Sequence, residues 1–447
     1  MAKSRTFMRA FLNRYGLVWL IAFTFIGQAE FAFSGEIGLI DLEKKLKEGC
    51  TLSDLISYAF KTNPSVKAAR ESWKSVIERY RVETGFPDPE IGFTAYPKPL
   101  MATYEVMISQ MIPFPGRLSQ AGEVVKAEIE MARLEYEKTL RDLVVGIRES
   151  YHELFYIKNA QRVVSLNRDL LEHLRKVGET AYAQERATFF DVVKAQSQLA
   201  QLQYDALLLA ELEQTEQAQL NALLNRAPGA KIRIEDGETL LPLLYNLEEI
   251  YELARIYQEE IRLAEAQINK ARAKAGLAKY EYLPMFRLGL SYARGNPDMV
   301  PEEFRDAVGV QFGLSIPIWL NKNWGRVEEA RAEERKAQAM KMSQLNETRA
   351  MIRNVYFRLQ NSERLISLYQ NQLLPQAAQA MEIAETWFRE KQGSFTDFIE
   401  TQSVFYNFQL ALARAKADYG RYLAQLERLV GRSLAQRGET PSAKEKP

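Results

Sequence analysis

Residues able to do covalent or metal chemistry are few in this 447-residue chain, and they are far apart. The two histidines, His152 and His173, lie 21 positions apart on one proline-free stretch. In a helix that spacing separates them by about 31 Å, so they cannot join the lone Cys50 in a zinc site. There is no glycine-rich phosphate loop, so energy for any driven process must come from a partner. The carboxylates are mostly scattered at solvated-face spacing, which suits a surface better than a general acid or base. Asp397 and Glu400 stand out because three residues, one helical turn, place them on a common face. Ser394 with Asp397, and Thr188 with Asp191, form Ser/Thr-x-x-Asp boxes that can cap the helices beginning near Phe395 and Phe189. The chain reads as a non-enzyme with no cofactor and no metal centre.

Which elements could position these groups? Net charge is +1 with 26% charged residues, so no bulk field points to nucleic acid. Lys3, Arg5, Arg9 and Arg14 precede an apolar run over residues 17–26, the layout of a secretory signal ending near residue 35. As a membrane anchor that run is short. With one cysteine the mature chain cannot form an internal disulfide, and Lys47-Glu48-Gly49 ahead of Cys50 argues against lipidation. No later stretch approaches eighteen uncharged apolar residues, so a membrane role must use strands.

Strands are present. In residues 307–316 Val308, Val310, Phe312, Leu314 and Ile316 alternate with Gly309, Gln311, Gly313 and Ser315, a period of two. About ten residues suffice for a tilted strand to cross a bilayer. Pro317 ends the run and Trp319 sits where an interfacial aromatic belongs. Alone this stretch fits a strand packed on one face of a soluble sandwich better than a membrane barrel, whose signal per segment is weak. Hairpins are expected at about 90–113 and 285–317. Long helices are expected at about 119–182 and 327–388, with Pro375 kinking the second, and return helices at 188–226 and 394–432.

The pattern occurs twice. Residues 188–226 align with 394–432 without a gap, and Ala218-Gln219-Leu220 matches Ala424-Gln425-Leu426. The chain is a tandem duplication: leader 1–35, first repeat 36–226, linker 227–246, second repeat 247–432 and polar tail 433–447. Each long helix would span about 95 Å, too long for a globule, and two shorter helices stacked end to end would match it. The fold class is therefore mainly α, a tall coiled-coil helical barrel with a small β part at one end. Four strands cannot close a transmembrane barrel, so protomers must pool them; a trimer gives twelve and a tetramer sixteen.

At this point the chain resembles the TolC family of outer-membrane efflux channels over essentially all of its mature length. The resemblance rests on Thr51-Leu-Ser-Asp-Leu with Asn63-Pro64, the strand exit Ser109-Gln-Met-Ile-Pro-Phe-Pro-Gly-Arg117, Leu373-Leu-Pro-Gln-Ala377, and the tip segments 182–196 and 388–402. It implies a homotrimer with a twelve-stranded barrel in outer-membrane lipid and a helical tunnel in the periplasm. It also implies a collar from residues 36–62, 227–258 and the region after Arg432. The partners it implies are a periplasmic adaptor (membrane fusion) protein and an inner-membrane pump of the resistance-nodulation-division type. The strand-exit motif looks like those of heavy-metal efflux channels. By the same resemblance Asp397 and Glu400 ring the periplasmic entrance, while Thr188, Phe189, Ser394 and Phe395 form tips that meet the adaptor. Val308, Val310, Phe312, Leu314 and Ile316 would face lipid. The family tip carries glycine where this chain has Glu185 and Lys391. The competing expectation is a soluble periplasmic coiled-coil adaptor or scaffold.

Overall fold

Without a proline to interrupt it, the segment Arg117–Ala183 forms one helix of 67 residues, about 100 Å long. The computed structural model describes residues 39–97, 102–185, 187–235, 240–390 and 392–435. The expected leader, most of the polar tail and Lys391 lie outside them. In chain order the helices are α1 Leu39–Glu48, α2 Leu52–Thr62, α3 Pro64–Thr84, α4 Arg117–Ala183, α5 Phe189–Leu223, α6 Leu247–Tyr257, α7 Glu259–Ala278, α8 Leu320–Leu368, α9 Leu374–Arg389 and α10 Phe395–Val430. The strands are β1 Glu90–Ala95, β2 Ala102–Ile112, β3 Met285–Gly295 and β4 Asp306–Ser315. None of the described helices is long and apolar enough to cross a membrane.

Helices α3 and α5 stack end to end beside α4, and side chains fix the joint. Asn63 caps α3 by accepting from the Val66 N–H at 3.1 Å, and its amide donates to the Leu223 carbonyl at 2.8 Å. The second repeat builds the same joint between α7 and α10. There Gln258 accepts from the Ile261 N–H at 3.2 Å, and Gly431 turns the chain at φ 78°. A Cβ at Gly431 would lie 2.4 Å from the Tyr257 carbonyl oxygen, so only glycine fits.

Three apolar clusters hold this frame. Leu46, Leu55, Ile147 and Leu220 seat α1 and α2 on the middle of α4. Ile250, Ile352, Leu426 and Val430 seat α6 on α8 and α10. Together these short helices make a belt at mid-height. Cys50 is buried in the belt and bridges to Ile234, and burial pushes its thiol up to about 12. The third cluster, around Leu171, Leu202 and Ile399, packs the far end. Close approach there and along α4 depends on two glycines. A Cβ at Gly420 would run into the His152 ring, and one at Gly178 would lie 3.0 Å from the Phe395 ring.

Ahead of Pro375 the helix widens to a π-turn over Tyr369–Leu373, just before α9, which carries the proline in its first turn. The wide turn makes room for the pyrrolidine ring and for the carbonyl its missing N–H leaves unpaired.

Candidate functional site

Two surfaces carry the residues singled out from sequence: the tip turns at one end and the sheet at the other. The four strands form a single antiparallel sheet in the order β1-β2-β3-β4. Register places Phe93 opposite Val106, Val106 opposite Tyr292 and Tyr292 opposite Val308. Ile91, Ile108, Leu290 and Val310 make the next row, so one face is largely apolar across the sheet, with Gln110 and the Arg294–Asp306 pair the polar groups on it. Val308, Val310, Phe312 and Leu314 are all exposed on it, Val310 at 81%. Ile316, also exposed, lies one residue past the end of β4. The other face carries Gly289, Ser291, Gly309, Gln311 and Gly313. Strands β1 and β4 each have one partner strand and therefore one free edge.

At the other end both predicted capping boxes are formed. Thr188 accepts from the Asp191 N–H at 3.3 Å, and Asp191 accepts from the Thr188 N–H at 2.8 Å. Ser394 accepts from the Asp397 N–H at 3.0 Å, and Asp397 accepts from the Ser394 N–H at 3.4 Å. Beyond the caps the two turns differ. Phe189 is 65% exposed and leans on Tyr182 at 6.0 Å between ring centres. Phe395 is 2% exposed, wedged against Phe388 at 5.2 Å and over Gly178. The expectation that Phe395 is an outward contact is therefore corrected: its ring fills the gap left by a glycine on α4 and is unavailable to a partner.

The carboxylates also separate. Asp191 is buried and accepts a further hydrogen bond from the Thr396 hydroxyl. Burial acts to raise its pKa, but the bonds from Thr396 and Thr188 with the nearby Lys194 outweigh it and hold the group below the usual aspartate range. Asp397 is exposed. Glu400 is exposed too, but it is bound to Lys194 at 2.6 Å, so it does not present the free charge its position suggests. Asp397 and Glu400 thus share a turn with different electrostatics.

Sequence reasoning missed Lys194 and Thr396, the links between α5 and α10. A signal existed, because Lys194 and Glu400 hold equivalent positions in the aligned repeats with opposite charges. Tyr406 donating to Asp205 at 2.8 Å and Gln402 donating to Asn167 at 2.7 Å complete the polar seam above. The Glu185 position is also explained. It adopts φ 58°, the left-handed conformation that glycine reaches without strain. Among the described residues no three His, Cys, Asp or Glu side chains cluster as metal ligands.

Known proteins agree with this frame. Residues 250–432 match the family model "outer membrane efflux protein". The chain is 27% identical over 312 residues to the pyoverdine export outer membrane protein OpmQ of Pseudomonas aeruginosa, an alignment covering 65% of this chain and 63% of that protein. Among solved structures, the outer membrane protein VceC of Vibrio cholerae superposes with a TM-score of 0.72 at 18% identity, covering 87% of this chain and 98% of VceC. The CmeC outer membrane channel of Campylobacter jejuni gives 0.72 at 12% identity, covering 92% of each chain.

Proposed function

We propose that this chain, a member of the outer membrane efflux protein family, works as the outer-membrane exit duct of a tripartite efflux system. One observation carries the reading: a sheet with a largely apolar exposed face and two free edges stands at one end of helices about 100 Å long. Free edges cannot stand in lipid, so β1 of one copy pairs with β4 of the next, and three copies close a twelve-stranded barrel. The helices continue the duct through the periplasm. A soluble adaptor would have no use for the apolar face, which in water would be an aggregation site.

In this reading a periplasmic adaptor meets the exposed Phe189 turn, and an inner-membrane pump, of the resistance-nodulation-division type, drives transport. Asp397 and Glu400 of three copies ring the entrance. Asp397 contributes most of the free charge there, since Lys194 offsets Glu400. The test is fractionation followed by electrophoresis without heating. A heat-dissociable trimer in the outer-membrane fraction is expected; a soluble monomer overturns the reading. In planar bilayers Asp397→Asn should lower cation selectivity more than Glu400→Gln does, and equal effects would remove the special place given to Asp397.

A further inference from the structure

We infer that the free lateral face of α8 is the seat for α5 of the next copy, in a register that sets Arg358 beside Glu211; this rests on the duct reading above. The long helices of the two repeats share a frame at the height of the belt. Ile147-Arg148, Tyr151 and Leu154 of α4 match Ile352-Arg353, Tyr356 and Leu359 of α8 at a constant separation of 205. The return helices α5 and α10 match at 206. The π-turn over Tyr369–Leu373 lies between the two matches and takes up the extra residue, since a wider turn holds one more. Positions on α4 and α5 therefore have fixed counterparts on α8 and α10.

In one copy α4 is flanked on both sides, by α3 and α5 of its own repeat and by α7 and α10 of the other, whereas α8 packs on α7 and α10. The side of α4 that meets α10 carries Val145, Arg148, Glu149, His152, Glu153 and Tyr156, all buried or half-buried. Gly420 of α10 lies against the His152 ring, and Gln425 donates to Glu149. Arg414 and Arg421 bond Glu153 at 2.7 and 3.2 Å. The counterparts on α8 are Ala350, Arg353, Asn354, Phe357, Arg358 and Asn361, and all six are exposed. They lie about half a turn from Ile352 and Leu359, which pack toward the belt and α10. In a wall of side-by-side helices, opposite faces meet opposite neighbours. The α8 face is thus the same seat that α10 fills on α4.

The occupant is the helix equivalent to α10. The counterparts of Arg414, Ala417, Gly420 and Arg421 are Leu208, Glu211, Gln214 and Thr215 of α5. The α10 set is buried or half-buried, and the α5 set is exposed. It lies opposite Leu202 and Leu209, which pack with the α4 residues Val164 and Leu171. Charge separates the two seams. Inside a copy the carboxylate, Glu153, is on the long helix and the guanidiniums are on the return helix. Between copies the guanidinium, Arg358, is on the long helix and the carboxylate, Glu211, is on the return helix. Among the described residues neither has an ion-pair partner in its own copy. On the seat of α4, α5 would set Glu211 beside Glu153; on the free face of α8, α10 would set two arginines beside Arg358. The reversed polarity lets each seat take one return helix and refuse the other, so copies close head to tail in a single order.

The register is tested by oxidative crosslinking of the full-length protein in membranes, with assembly checked by sedimentation in detergent. Phe357 and Gln214 are the counterparts of His152 and Gly420, the closest approach in the observed seam. F357C with Q214C should therefore link copies covalently into trimers, and neither single variant should. F357C with L207C, two helical turns or about 10 Å out of register, should not link. Cys50 is buried in the belt and stays out of reach. R358E should lower the trimer fraction about tenfold, and adding E211R should restore it. A sedimenting trimer that links through L207C and not Q214C overturns the register while the duct stands. A double charge reversal that assembles no better than R358E overturns the Arg358–Glu211 pair. If the parent protein sediments as a monomer, the duct itself is overturned.

Discussion

The two tip turns share a sequence frame, a capping box and a helix of nearly equal length, yet they bury opposite things. The first turn exposes its phenylalanine and hides its capping aspartate; the second hides Phe395 and exposes Asp397. Duplication copied the local chemistry, because a capping box needs only its own four residues. It could not copy the environment, because Phe395 of α10 lies over α4 at Gly178 and Phe189 has no such neighbour. Equivalent residues in the two repeats have therefore separated into a structural set and a surface set, and in the proposed duct it is the surface set that meets partners and ions.

Exchanging members of the two sets should break this division in a graded way. Phe395→Ala should have the largest effect, about 3–5 kcal/mol of local stability, since it empties a buried aromatic site. Hydrogen exchange should accelerate at 174–182 and 395–402, while the sheet stays protected. Asp191→Asn comes next. It disturbs a buried, multiply bonded acceptor and should cost about 1–3 kcal/mol near neutral pH.

Because the folded pKa of Asp191 is depressed, its contribution is present above the ordinary aspartate value and is lost as pH falls through the folded value. Tip protection in the parent should therefore fall in acid, below about pH 4, and Asp191→Asn should flatten that dependence. Lys194→Met should cost only about 0–1 kcal/mol, as exposed pairs do. It frees Glu400, so cation selectivity in bilayers should rise; a fall would mean the pair does not mask the entrance charge. Phe189→Ala should change stability least, by less than about 0.5 kcal/mol, while reducing crosslinking to a periplasmic adaptor in cells. Were Phe189→Ala as destabilising as Phe395→Ala, the division between the turns would be lost.

The long helices, the strands, the caps and the repeat were legible because each depends on residues close in sequence. Period-two alternation marks β4, and the proline-free run 119–182 marks α4. The Phe395 pocket was not legible, since nothing in its own segment distinguishes it from Phe189. Its clue is Gly178, a lone glycine in another helix, which signals close approach without naming the neighbour. The Lys194–Glu400 bond likewise depends on which helices become neighbours. The π-turn before Pro375 shows a local conflict resolved by local means, but by a route the sequence rule does not select.

The free edges of β1 and β4 also have a consequence in time. A newly made copy carries two unsatisfied strand edges and an apolar face, and it meets other unfolded chains before it meets two finished copies of itself. In the proposed trimer, productive closure and misassembly both accelerate with concentration, so the yield is set by a race whose winner depends on how quickly the edges reach a membrane. Overproduction should therefore lower the fraction correctly assembled even when every chain folds its helices, and a lysine placed on an edge would slow both competitors at once.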